Sequence, residues 1–79
     1  MNMKKFSSEI ELRGHIIDSL ILTKVFDGIM DHGGSFEVLD IKIGKKKKDE
    51  SYAKLLVIGN NAKNLDVILN YVYRHGATS

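Results

Sequence analysis

The stretch "SYAKLLVIG", residues 51–59, decides the fold. Side chains alternate between the two faces of a strand, which places Ala53, Leu55 and Val57 on one face and Tyr52, Leu56 and Ile58 on the other. A strand over 52–58 is therefore apolar on both faces near its end. That pattern belongs to the middle of a sheet, with its second face also covered.

Upstream lies a polar loop, Gly44 followed by "KKKKDE", and before it a second strand over 35–43. Its apolar residues change parity, from Phe36 and Val38 to Leu39, Ile41 and Ile43. A β-bulge near Leu39 would produce this, because one extra residue moves all later side chains to the other face. Burial of both faces would produce it as well. Further back, Leu22, Val25, Phe26 and Ile29 form one stripe at helical spacing, predicting a helix over 19–31. Asp18 or Ser19 offers its N-cap oxygen, and Gly33 or Gly34 a left-handed stop. Residues 6–14 alternate cleanly, with Ser8, Ile10 and Leu12 opposed to Glu9, Glu11 and Arg13, and predict the first strand. Downstream of the central strand, Asn60 or Asn61 can cap a second helix with the stripe Leu65, Ile68, Leu69, Val72, and Gly76 ends it.

The order strand, helix, strand, strand, helix is that of an α+β, ferredoxin-like split βαβ sandwich lacking its fourth strand, with two helices on one face of an antiparallel sheet. The full architecture has strand order 4-1-3-2, so without the fourth strand the first has an open edge, an invitation to pair with more protein. The expectation is one domain over 1–79, a piece of a longer enzyme whose missing strand comes after residue 79 or is supplied by a neighbouring copy in a homo-oligomer.

The 79 residues contain no cysteine, so no disulfide or thiolate site is available. A chain this short buries only roughly 60% of its unfolded surface, and modest stability is expected. No apolar run approaches the roughly 20 residues that cross a bilayer, and residues 1–8 lack a signal core, pointing to a cytoplasmic protein without a membrane partner. Net charge is +2, but Lys45, Lys46, Lys47 and Lys48 supply four of the twelve basic residues. Basicity is thus one loop rather than a face with interleaved aromatics, which argues against a nucleic-acid partner and favours a solvated hairpin loop.

Three stretches, "ELRGHIIDSLIL" (11–22), "DHGGSFEVLDIKIGKKKKDESYAKL" (31–55) and "HGA" (75–77), carry a resemblance. With "GHIIDS" and "SYA" spaced around a "GG", the chain from Glu9 to Ala77 resembles the LOR/SDH bifunctional enzyme conserved region, the saccharopine dehydrogenase N-terminal-like domain. It is most similar to the N-terminal region of archaeal-type, NAD-dependent ornithine cyclodeaminases. The resemblance implies a parent several times longer, with NAD and the catalytic residues outside this region, converting ornithine to proline and ammonia. Gly33-Gly34 comes after a helix and before a strand, the wrong order for a dinucleotide-binding turn, so no cofactor contact is assigned to this chain.

The reading is a non-catalytic docking or dimerisation module, without catalytic, cofactor-binding or metal-binding residues of its own. Two alternatives are a regulatory amino-acid-binding domain acting at a subunit interface and, more distantly, a small RNA-binding protein using the lysine loop. His15 and Asp18, three residues apart at a strand-to-helix loop, could be a base with its orienting carboxylate, or simply a turn residue and a helix cap. With Arg13, Gly33 and Gly34 they form the set of candidate ligand or interdomain contacts. Tyr52, Leu56 and Ile58 form a candidate interface patch, and Tyr71 and Tyr73 also suit an interface. His32 and His75, each before a glycine at a helix end, suit the free carbonyls there. Scattered histidines without cysteine argue against a zinc site.

Overall fold

The computed structural model describes residues 6–79; the first five positions of the 1–8 stretch, read above for a signal core, lie outside them. The elements are β1 (Ser7–Gly14), α1 (Ile21–Asp31), β2 (Ser35–Lys42), β3 (Ser51–Ile58) and α2 (Ala62–Arg74). The sheet order is β1-β3-β2, antiparallel throughout. This is the ferredoxin-like α+β sandwich, open at the outer edge of β1.

β3 owes its central place to the alternation noted above: Ser51, Ala53, Leu55 and Val57 are buried, and Tyr52, Lys54, Leu56 and Ile58 are half-buried. Opposite its buried residues stand Ile10 and Leu12 of β1. Val25 and Ile29 of α1 and Ile68 and Val72 of α2 close this core from above, all with no exposed surface. Burying one such side chain stabilises by about 1.5–3 kcal/mol.

The parity change in β2 is a bulge. Register slips between Val38 and Asp40, so Val38 faces Leu55 while Ile41, not Asp40, faces Ala53. Phe36, Val38 and Ile41 thus share the helix-covered face, and Asp40 and Lys42 lie on the outer face opposite Lys54 and Tyr52. Phe36 stacks on Phe26 of α1, ring centroids 4.3 Å apart. Beyond that contact β2 runs out from under α1, and Val38, Ile41 and Ile43 stay about half exposed.

Helix α1 starts later than the apolar spacing predicts, and neither Asp18 nor Ser19 caps it. Residues 15–19 form a turn of their own: the Ser19 N–H donates to the His15 carbonyl at 3.0 Å and the Leu20 N–H to that of Ile17 at 3.1 Å. Ser19 Oγ is drawn to the His15 carbonyl as well, at 2.7 Å. Leu20, at φ 63°, is left-handed and ends that turn as a glycine ends a helix; the chain then restarts as α1 without a side-chain cap. The local turn takes the Ser19 hydroxyl away from capping, and Asp18 Oδ2 stands 4.0 Å from His15 Nδ1 instead. α2 matches the sequence expectation: Asn61 is its N-cap, accepting from the Asn64 N–H at 2.8 Å. Both helices stop at His-Gly, with Gly33 at φ 81° and Gly76 at φ 100°. The Nδ1–H of His32 donates to the Gly28 carbonyl at 2.7 Å, and that of His75 to the Tyr71 carbonyl at 2.9 Å.

After α2 the chain turns back to the sheet. Ala77 is buried, and Thr78 pairs with Glu11 of β1: the Glu11 N–H donates to the Thr78 carbonyl at 2.7 Å, and the Thr78 N–H to the Glu11 carbonyl at 2.9 Å. This is an isolated antiparallel bridge on the open side of β1.

Candidate functional site

Antiparallel pairing of Gly14 with Ser51 brings the turn after β1 and the loop before β3 to the same end of the sheet. Between them lies a cleft of about 380 Å³, lined chiefly by His15, Ile17, Asp18, Ile43, Asp49 and the lysines Lys45, Lys46 and Lys47. Gly14, at φ 120°, supplies a backbone conformation that side chains disfavour and lets β1 bend into the turn.

Of the candidate contacts, His15 and Asp18 come together here, with His15 Nδ1 and Asp18 Oδ2 4.0 Å apart and both side chains about half exposed or more. The separation permits electrostatic attraction and is too long for a hydrogen bond. The opposite wall is tied internally: Asp49 Oδ2 accepts from the Lys46 N–H at 3.1 Å, and Ser51 Oγ from the Gly44 N–H at 3.0 Å. Among the described residues, no carboxylate pairs with Lys45, Lys46 or Lys47.

Arg13 is not part of this cleft. Its guanidinium sits over the Tyr52 ring, 4.6 Å from the centroid, on the outer sheet face. Tyr52 Oη donates to Glu11 Oε2 at 3.0 Å, and Lys54 Nζ lies 3.3 Å from Glu9 Oε1. Burial, then the Glu11 hydrogen bond, raises the Tyr52 hydroxyl above its ordinary value, and the Glu9 hydrogen bond raises Lys54. Leu56 and Ile58 continue this outer face, which both helices leave uncovered.

Gly33 and Gly34 lie at the other end of the sheet, where Ser35 pairs with Ile58. A Cβ on Gly34 would fall 2.4 Å from Ile68 Cδ1 and 2.9 Å from the Ile58 carbonyl oxygen. Asn60 Nδ2 donates to the Gly33 carbonyl at 3.1 Å and Asn64 Nδ2 to that of His32 at 2.8 Å. The glycines are explained by helix termination and packing.

The turn between β3 and α2 lacks the run of glycines of a dinucleotide-binding turn. The one glycine between β3 and α2, Gly59, is pressed against Leu65, and the Asn64 N–H in the first turn of α2 is taken by the Asn61 side chain. Tyr71 lies between the helices rather than at a surface for partners: its ring stacks on His75 and its hydroxyl donates to the Lys24 carbonyl at 3.1 Å.

Residues 7–79 match the LOR/SDH bifunctional enzyme conserved region. The chain belongs to this family. Among the relatives of this LOR/SDH region, ornithine cyclodeaminase of Methanocaldococcus jannaschii is 61% identical over 91% of the chain and 17% of its own length. That of Archaeoglobus fulgidus is 46% identical over 87% of the chain and 17% of its length. The crystal structure of the ternary complex of AgrE with ornithine and NAD+ superposes with a TM-score of 0.88 at 30% identity, over 92% of this chain and 11% of that one. The chain thus spans about a sixth of the curated relatives it matches.

Sequence reasoning missed that Lys45, Lys46 and Lys47 face His15. The signal was available: once the first and third strands are antiparallel neighbours, the residues after Gly14 and those before Ser51 must meet.

Proposed function

We propose that this LOR/SDH region is the non-catalytic N-terminal docking module of a cytoplasmic amino-acid-metabolising enzyme, an NAD-dependent ornithine cyclodeaminase in its full form. The observation that carries the docking reading is the rung between Thr78 and Glu11. Two short main-chain hydrogen bonds set Thr78 antiparallel to β1, which supports a fourth strand along that edge. A strand continuing from Thr78 would run past Ile10 and Glu9, with its inward parity already set by Ala77, buried opposite Leu12. The outer face of Tyr52, Leu56 and Ile58 adds a half-covered apolar surface for the body of the enzyme. The chemistry, including the NAD site, belongs to the remainder of the parent, a reading supported by the turn between β3 and α2, where Leu65 crowds Gly59 and Asn61 takes the Asn64 N–H.

The test compares residues 1–79 with the full-length protein. Ornithine-dependent ammonia release with NAD is expected only from the latter, and activity in residues 1–79 alone refutes the assignment. Amide hydrogen exchange then probes the edge. Protection of the Glu9 N–H in the full-length monomer supports a strand in cis, whereas protection that appears only with dimer formation shows a second copy supplying it. An unprotected Glu9 N–H in both forms removes the docking reading.

A further inference from the structure

We propose that the cleft between the 15–20 turn and the 44–50 loop is a binding site for the phosphate group of a small metabolite. Its volume of about 380 Å³ lies within the roughly 300–1,000 Å³ of small-molecule sites. Three lysines, Lys45, Lys46 and Lys47, line it, and none has a carboxylate partner among the described residues.

The two carboxylates in its walls, Asp18 and Asp49, are outnumbered by the lysines and form no ion pair with them among the described residues. Asp49 is held by its own loop, accepting from the Lys46 N–H while its N–H donates to the Lys46 carbonyl at 2.9 Å. Asp18 stands beside His15 Nδ1 at 4.0 Å. The imidazole Nε2, on the other side of the ring, remains as a donor or acceptor for a ligand.

The frame around these groups is built in advance. The His15 carbonyl receives both the N–H and the hydroxyl of Ser19, and left-handed Leu20 closes the turn. On the other wall the Asp49 staple and the Gly44 to Ser51 bond hold the loop that carries the lysines. Ile17 and Ile43, each about half exposed, flank the charged groups and would take the apolar part of the ligand. A dianion suits a cleft lined by three neighbouring lysines better than a single carboxylate does, which favours phosphate.

Lysine footprinting on the full-length protein tests this. Inorganic phosphate is titrated at constant ionic strength, and acetylation of individual lysines is read by mass spectrometry. The expected result is saturable protection of Lys45, Lys46 and Lys47 of at least threefold, with Lys24 and Lys63 unchanged. In His15→Gln the half-protecting phosphate concentration rises at least threefold. In the triple Lys45→Gln, Lys46→Gln, Lys47→Gln variant, calorimetry shows phosphate affinity lowered at least tenfold with the far-UV spectrum retained. Uniform protection of all lysines would mean general screening and overturn the proposal. So would equal protection by acetate, which would make the site a carboxylate site. If the triple variant fails to fold, His15→Gln with unchanged protection still refutes it. These outcomes are independent of ornithine turnover.

Discussion

Replacing Gly28 by alanine asks whether the two helices are joined as closely as the structure implies. In a helix interior this change normally stabilises by about 1 kcal/mol, since glycine loses more backbone freedom on folding. Here a Cβ would lie 1.9 Å from Tyr71 Cε2 and 2.3 Å from Cζ. The ring must move, and overpacking costs roughly 1–3 kcal/mol. Swinging it away forfeits the hydrogen bond to the Lys24 carbonyl, about 1 kcal/mol, and disturbs the stack on His75. The clash outweighs the propensity gain, and Gly28→Ala should lose about 1–2 kcal/mol, lowering Tm by roughly 4–16 °C in a domain of this size. Urea unfolding followed by circular dichroism measures it. In a Tyr71→Ala background the clash is gone and Gly28→Ala should stabilise by about 1 kcal/mol, giving a coupling energy of roughly 2–3 kcal/mol. A Gly28→Ala protein as stable as the parent, or a coupling near zero, refutes the packing described for Tyr71.

Leu20→Gly should leave stability unchanged or raise it by up to about 1 kcal/mol. A left-handed leucine costs about 1–2 kcal/mol, which glycine avoids while adding about 0.5–1 kcal/mol of unfolded-state freedom. The side chain is 60% exposed, so little packing is lost; a loss above 1 kcal/mol in chemical denaturation would contradict this. At alkaline pH, the raised values of Tyr52 and Lys54 have one sign. The stabilisation each contributes is complete below the unfolded-state value near pH 10 and is lost as pH rises through the higher folded-state value. Glu11→Gln, which removes the carboxylate charge, should move the Tyr52 midpoint down towards the ordinary tyrosine value in a ring-carbon NMR titration; an unmoved midpoint denies the Glu11 contribution.

The sandwich is legible because each element carries a periodicity of its own. The double-faced Leu55-Leu56-Val57-Ile58 run places β3 in the centre, and the parity break at Leu39 marks the bulge that the register shift confirms. Asp18 misleads because capping is a local rule and a second local structure competes for the same residues: Ser19 bonds back to His15, and Leu20 ends that turn before α1 begins. A left-handed leucine leaves no trace in composition or spacing. The cleft is hidden for a different reason. Its two walls are far apart in the chain and joined only through strand register, and the lysine run read by itself is a solvated loop. Gly28 and Tyr71 are hidden likewise, since a close approach of two helices shows in neither stripe.

The two ends of the sheet differ in what a ligand would have to displace. At the Gly33-Gly34 end, Asn60 and Asn64 already donate to the Gly33 and His32 carbonyls, and Asn64 Oδ1 accepts from the Asn60 N–H at 2.8 Å. An amino acid seated there must break bonds worth roughly 0.5–1.5 kcal/mol each before forming its own. Gly34 offers no room either, with Ile68 and the Ile58 carbonyl against it. Asn64→Ala should therefore act on stability, losing about 1–2 kcal/mol through its two side-chain bonds in a thermal melt. Ornithine, arginine or lysine should leave the amide signals of 32–34 unmoved in both proteins. Shifts at those amides with the parental Asn64 in place would show that the locks open readily, and would return the glycines to the ligand-binding role that their hydrogen bonds argue against. At the Gly14 end the loop and the turn are each tied to themselves, and among the described residues no carboxylate pairs with Lys45, Lys46 or Lys47, so a ligand at these lysines displaces water rather than a protein partner.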